Sequence, residues 1–376
     1  MGRKIIIGMA AVVGMVGVAL AGERLPPFGG KVEGKRLERV EASEHFADGL
    51  AQNLIPTSLG MNREMFGAMG RYLRGGQNPD VPIPVERPSF SDNLAEAFTM
   101  TWLGHSSVLL EIGGVRVLTD PVFSKRASPF QWMGPARFHE TPVSLDELPK
   151  LDAVVISHDH YDHLDMGTIA ALIDRDIPFL VPLGVGAHLE AWGVPDEHII
   201  EMEWWDTFEL GETRVVCTPA RHFSGRGMTD RNRTLWASWA VIGPEHRVWF
   251  SGDTGPFPQA EEIGERLGPF DLSMIEIGAY DRAWGQIHLG PDEALTMHKQ
   301  VRGKRMFPVH WGTFNLAAHR WDQPIVRLIE QSEVVGVDLL VPVAGQTVDA
   351  GEAFIADMWL GRSAIWAETG RDTLDE

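Results

Sequence analysis

The chain has 376 residues, 44% hydrophobic and 23% charged, a balance that suits a globular protein with a substantial core. Acidic residues number 52 against 33 basic ones, and the net charge of −19 excludes nucleic acid as an expected partner, because phosphate backbones are repelled by such a surface. The only cysteine, Cys217, rules out an intramolecular disulfide, and its strand-like setting suits a small buried hydrophobe, not a nucleophile.

Arg3 and Lys4 precede an uncharged run from Ile5 to Ala21, which ends in Ala19-Leu20-Ala21 before Gly22. A charged start, an apolar middle and a small-x-small end make the pattern of a secretory signal peptide over 1–21. The run is about 17 residues, the lower limit for crossing a bilayer, so an uncleaved N-terminal membrane anchor is the alternative. No cysteine follows the run, which excludes a lipoprotein anchor. Either reading expects an exported protein, periplasmic or membrane-associated.

Residues 22–97 are rich in Pro, Gly and polar side chains, as in Leu25-Pro26-Pro27-Phe28-Gly29-Gly30 and Pro79-Asp80-Val81-Pro82-Ile83-Pro84. They read as an N-terminal extension packed on a core, with one helix over roughly 62–73. From Phe98 the pattern changes. Thr99 to Leu103 and Val108 to Ile112 are strand-like, and Gly113-Gly114 turns the chain back into Val115 to Thr119. Further strands are expected at 153–156, 179–182, 213–218, 235–242, 247–251, 272–277 and 305–309. Helices are expected at 165–174, 186–192, 261–267 and 291–301. Strand clusters with interspersed helices suit an α/β sheet sandwich flanked by helices over 98–350, followed by an acidic tail, 351–376. No internal repeat is visible.

The run Ala153-Val154-Val155-Ile156 opens into Ser157-His158-Asp159-His160-Tyr161-Asp162-His163. A strand that ends in His-x-His-x-Asp-His sets His158, His160, Asp162 and His163 on one short loop. Imidazole and carboxylate together suit zinc or a similar borderline metal. Four ligands from one loop exceed what a single tetrahedral site with an open position takes, which points to two metals and to a hydrolase. Further ligands are expected from later strand ends. His222 follows a strand, Asp253 lies in Gly252-Asp253-Thr254-Gly255 after another, and His310 follows a third. Each alone is an ordinary residue; the recurrence after successive strands makes them candidates.

This order resembles that of the metallo-β-lactamase superfamily. The likeness is closer to its branch of N-acylphosphatidylethanolamine-hydrolysing phospholipases D. It is carried by Thr101-Trp102-Leu103-Gly104-His105, Leu118-Thr119-Asp120-Pro121, Trp236-Ala237-Ser238-Trp239, Gly268-Pro269-Phe270-Asp271 and His310-Trp311-Gly312-Thr313, and covers about residues 98–345. The resemblance implies an αββα sandwich holding two Zn2+ ions, with other divalent metals open. His158, His160 and His222 would hold one, Asp162, His163 and His310 the other, and Asp253 would bridge them. It also implies phospholipid hydrolysis through a metal-bridging hydroxide, a membrane surface as partner, and leaves a homodimer open.

Asp120 is a candidate to orient a ligand histidine, or a turn residue before Pro121. His105 is either a donor near the site or a packed loop histidine. Asp165 suits a helix cap. His288 matches a histidine that the branch sets near the substrate phosphate, so Asp162, Asp253 and His288 are the candidate catalytic residues. The branch often has Gln directly before that histidine; here Ile287 stands there and Gln286 one residue earlier. The 13 tryptophans are read as packing, not as a membrane face. Two other functions fit the same features: a lactonase or β-lactamase on the same site, and a non-catalytic envelope protein that retains the fold. All the proposed ligands being present speaks against the last.

Overall fold

A computed structural model describes residues 25–58 and 63–360 of the chain. The expected signal segment and most of the acidic tail lie outside the described residues.

Two mixed sheets form the core. The first has seven strands in the order β16 (Thr347–Asp349), β3 (Phe98–Gly104), β4 (Ser107–Ile112), β5 (Val115–Thr119), β6 (Ala153–Val155), β7 (Phe179–Pro182) and β8 (Ile199–Met202). The second has eight: β17 (Phe354–Ile355), β15 (Asp338–Val341), β14 (Gly303–Val309), β13 (Phe270–Glu276), β12 (Arg247–Phe250), β11 (Ser238–Ile242), β10 (Thr213–Thr218) and β9 (Thr207–Leu210). A short hairpin of β1 (Phe46–Ala47) and β2 (Leu50–Ala51) stands apart.

Alternation along the strands builds the layers. In the first sheet Val108, Leu110, Val117, Val155 and Leu180 belong to the cluster shared with the second sheet. Their neighbours Leu109, Leu118, Val154, Phe179 and Val181 turn the other way. There they meet Ile169 and Leu172 of helix α3 (Met166–Leu172) and Leu189 of α4 (Gly186–Ala191). With both faces covered, these strands carry near-continuous apolar runs, which is why they read so clearly in the sequence. Helices α5 (Ala260–Leu267), α6 (Pro291–Gln300) and α7 (Gln323–Val335) accompany the second sheet, with α6 against β13 and β14. The result is the αββα sandwich.

The halves repeat in topology. β4–β5 is antiparallel, and β5–β6, β6–β7 and β7–β8 are parallel. β11–β12 is antiparallel, and β12–β13, β13–β14 and β14–β15 are parallel. Asp120 follows β5, and Asp253 follows β12 after two further residues, so two of the candidate carboxylates leave corresponding strands.

Some boundaries differ from expectation. The strand expected from residue 235 begins at Ser238. Leu235 and Ala237 instead donate their N–H groups to Leu183 and Ser157 beyond the ends of the other sheet's strands (2.8 Å each). Helices α1 (Gly34–Ala42) and α7, and strands β1, β2, β8, β9 and β15 to β17, were not among the expected elements.

The extension is stitched to the core. Arg36 pairs with Glu201 at 3.2 Å, Trp192 donates to Pro26 O at 2.6 Å, and Ala51 N–H donates to Asn232 O at 2.8 Å. Helix α2 (Arg63–Arg74) is held by Arg71, which contacts Asp281 at 2.7 Å.

Candidate metal centre

The candidate ligands sit past the carboxyl ends of strands on one rim, where α/β folds commonly bind ligands. The loop after β6 is built tightly. Leu164 N–H and His163 N–H donate to His160 O (2.8 and 3.0 Å), which coils the loop into a turn. The buried Arg226 donates to Asp159 O (2.6 Å) and Leu164 O (2.9 Å). The Asp159 side chain accepts from Gly225 N–H (2.7 Å) and Thr234 Oγ1 (2.9 Å) and lies 3.3 Å from His188 Nε2, and it does not join the cluster formed by the rest of the loop. The Asp159 side chain thus braces the loop, and His158, His160, Asp162 and His163 converge.

Two adjoining groups result. In one, Nε2 of His158 lies 2.8 Å and Nε2 of His222 3.3 Å from Nδ1 of His160. Both Nε2 atoms are 3.8 Å from Oδ2 of Asp253. In the other, Nε2 of His310 lies 3.2 Å and Nε2 of His163 3.4 Å from Oδ2 of Asp162. The same two nitrogens are 3.1 and 3.2 Å from Oδ2 of Asp253. Asp253 Oδ2 therefore faces both groups.

His105 joins the second group, with Nε2 at 3.0 Å from Asp162 Oδ2. It is a buried polar neighbour of the ligand cluster, in line with the reading of a donor near the site.

The backbone is bent to reach these positions. His105, Asp120 and His310 all have positive φ (54°, 33° and 64°), conformations uncommon for residues with a Cβ, although Asp and His take them more readily than most. Gly252 (φ 54°) has no such cost, and a Cβ there would lie 2.5 Å from Ser157 Cβ. Glycine thus lets Asp253 approach the histidine loop.

Outer contacts hold the imidazoles. Asp120 Oδ2 accepts from His163 Nδ1 at 2.7 Å, and Oδ1 accepts Ser157 N–H at 2.6 Å. Ser157 Oγ is 2.9 Å from His158 Nδ1. His222 Nδ1 donates to Ile287 O at 2.9 Å. Asp120 is thus the orienting carboxylate, while Asp165 caps α3 and also accepts from Ser124 (2.8 Å).

Burial, and then the neighbouring imidazoles, hold His158 and His222 well below the usual histidine range, which keeps them neutral. Burial also disfavours charge on His163 and His310. The carboxylates around them outweigh it, raising His163 well above the usual range and His310 to about 10. Asp253 and Asp162 are held well below the carboxylate range by the same partners, against burial. So a buried cluster of carboxylates is neutralised by protons on His163 and His310, sites that a cation would take over with proton release. Nε2 of His163 and Oδ1 of Asp253 are buried and make no hydrogen bond. Orphaned donors and acceptors of this kind are costly unless something else satisfies them. The neutral imidazoles, shared carboxylate and orphaned atoms fit two metal ions side by side.

Residues 115–311 match the family described as Beta-lactamase superfamily domain. The chain is 49% identical over 317 residues to an uncharacterized protein of Mycobacterium tuberculosis, covering 82% of this chain and 85% of that one. The chain belongs to the metallo-β-lactamase superfamily. It is 41% identical over 249 residues to N-acyl-phosphatidylethanolamine-hydrolyzing phospholipase D 1 of Caenorhabditis elegans, covering 62% of this chain and 70% of that protein. Among solved structures, the metallo hydrolase Igni18 of Ignicoccus hospitalis shares the fold, with a TM-score of 0.52 and 22% identity over 66% of this chain and 97% of that one. This metallo-β-lactamase chain is accordingly a metal-dependent hydrolase.

In this superfamily member a cavity of about 380 Å³ opens onto both ligand groups. Met65, Phe223, Trp284, Ile287 and Leu316 form its apolar wall, and Arg231 and His288 its polar side. His288 Nδ1 lies 2.8 Å from Oε2 of Glu276, a buried carboxylate at the end of β13. Gln286 is turned elsewhere, accepting Ser58 N–H at 2.8 Å. Sequence reasoning missed Glu276, Ser157 and Asn53. Only Glu276 left a signal: a carboxylate within the apolar run Met274-Ile275-Glu276-Ile277.

Proposed function

We propose that the protein is a phospholipase D-type phosphodiesterase that uses two zinc ions to hydrolyse N-acylphosphatidylethanolamine or a related phospholipid. The observation that carries this reading is the continuity of the cavity: an apolar wall suited to acyl chains runs directly into the shared carboxylate Asp253. The likeness to the nematode phospholipase supports it.

Bound at this site, two metals would supply an activated water and stabilise charge on the reacting phosphate. The chain's own residues do the rest. Asp253 faces both ligand groups and fixes their spacing. Arg231 at the cavity lip carries no salt bridge among the described residues and offers its guanidinium to a phosphate oxygen. Glu276 orients His288, which faces the cavity and contacts the head group.

A membrane surface is the proposed source of substrate. Phe66, Met69 and Leu73 of α2 are 72%, 59% and 77% exposed, and Met65 of the same helix lines the cavity. Such a face suits docking at a lipid boundary. Among the described residues no helix is long and apolar enough to cross a membrane. Export through the N-terminal segment belongs to the same proposal. Recovery of intact Met1 on cytosolic protein speaks against export.

The test is hydrolysis of N-acylphosphatidylethanolamine by purified, metal-quantified protein. Phosphatidic acid and N-acylethanolamine as products, two zinc ions per chain and loss of turnover in Asp253→Asn are the expected results. Two metals without lipid turnover would retain the metal site and reject the substrate, turning the search to lactones and other esters.

A further inference from the structure

We propose that Asn53, in the N-terminal segment, is a positioning residue for one half of the metal centre, holding His222 and leaving the other half untouched. This rests on the two-metal reading above.

His222 lies past the end of β10, where it has no strand partner to take its backbone groups. Asn53 takes both. Its Nδ2 donates to His222 O at 2.8 Å, and its Oδ1 accepts His222 N–H at 3.0 Å. The side-chain amide thus mimics the paired contacts of a neighbouring strand. The preceding residue is held by the same segment: Arg221 donates to Thr57 Oγ1 at 2.9 Å and to Pro56 O at 3.0 Å. The imidazole is fixed at its far side by Ile287 O at 2.9 Å. With its backbone gripped twice and its ring once, His222 has little freedom to move its Nε2.

The grip is one-sided. Among the described residues, no hydrogen bond or ion pair of 25–58 reaches His105, Asp162, His163 or His310. Ligand distances in metal sites lie within about 0.2 Å of their standard values, so a small shift of Nε2 matters to the bond it makes. Loss of the Asn53 grip therefore acts on the group of His158, His160, His222 and Asp253 and spares the second.

The test titrates the full-length protein, stripped of metal, with Co2+, reading electronic absorption and competition with a chromophoric chelator. Wild type is expected to take up two equivalents. In Asn53→Ala one equivalent is expected to bind about 10- to 100-fold more weakly. It is the equivalent that His222→Ala removes, and the other keeps its wild-type affinity. Asn53→Asp, a milder change that keeps the acceptor for His222 N–H, is expected to weaken the same equivalent and serves if Asn53→Ala does not fold. Arg36→Ala loosens the segment at Glu201, away from the site, and is expected to leave both equivalents unchanged.

Two wild-type equivalents in Asn53→Ala, equal weakening of both, or the same loss in Arg36→Ala would each overturn the role of Asn53. Wild type that takes up fewer than two metals would overturn the two-metal reading, and this inference with it.

Discussion

The indole N–H of Trp239, in β11 of one sheet, donates to the carbonyl of Ile156, at the end of β6 in the other, at 3.1 Å. The two sheets are thereby tied at the residue from which the histidine loop departs. Other indoles act alike: Trp236 donates to Ala220 O, just before His222, and Trp102 to His105 O, both at 3.0 Å. These tryptophans combine large apolar packing with a fixed polar tip that pins loop backbone.

Trp239→Phe keeps most of the volume but leaves the buried Ile156 carbonyl without that donor. A loss of about 1–3 kcal/mol in unfolding free energy is expected, measured by urea titration. An unchanged midpoint would mean that the bond contributes nothing to holding the sheets together.

Asp120→Asn removes the charge that fixes the proton on Nδ1 of His163 and leaves Nε2 free to face Asp253 and Asp162. An amide donor turned toward Nδ1 would favour the other tautomer, with the proton on Nε2. Metal affinity is expected to fall about 10- to 100-fold, read by chelator competition. Wild-type affinity would show that His163 is oriented by something else.

Glu276→Gln keeps the size of the partner of His288 but removes its charge. Turnover of the proposed substrate, N-acylphosphatidylethanolamine, is expected to fall roughly 100-fold at unchanged metal content, because His288 loses the charged partner that orients it at the head group. Equal loss of metal and turnover would instead make Glu276 part of the metal site, as its 3.8 Å approach to His310 allows.

Acid stability is set away from the centre as well. Burial lowers His298, His139 and His319 to about 4 each, and His298 Nδ1 is hydrogen-bonded to Ser273 at 2.8 Å. The unfolded chain takes up these protons near pH ~6.5, the folded chain only near 4. Their stabilising contribution is complete above pH ~6.5 and falls as pH drops toward 4, by up to ~1.4 kcal/mol per pH unit for each imidazole. Urea unfolding between pH 7.5 and 5 is expected to show this slope, shallower in His298→Gln. Parallel slopes in the two proteins would exclude His298 from the effect.

The kind of chemistry is legible in the residues alone. His158, His160, Asp162 and His163 lie within one turn of chain, so their convergence needs only local geometry. Strands buried on both faces announced themselves as apolar runs, and the candidate ligands His222, Asp253 and His310 followed them. What sequence could not supply was the supporting contacts made by residues distant in the chain and outside the ligand motif. Asn53 reaches His222 only because the N-terminal segment folds back over the rim, and a polar segment carries no periodicity that says where it docks. Glu276 meets His288 because β13 is buried between β12 and β14. The repeated strand pattern of the two halves is a pattern of pairing, which leaves no mark in residue identity. The resemblance implied that Asp253 joins the two groups, and the packing of the two sheets sets its Oδ2 3.1 and 3.2 Å from one pair of imidazoles and 3.8 Å from the other.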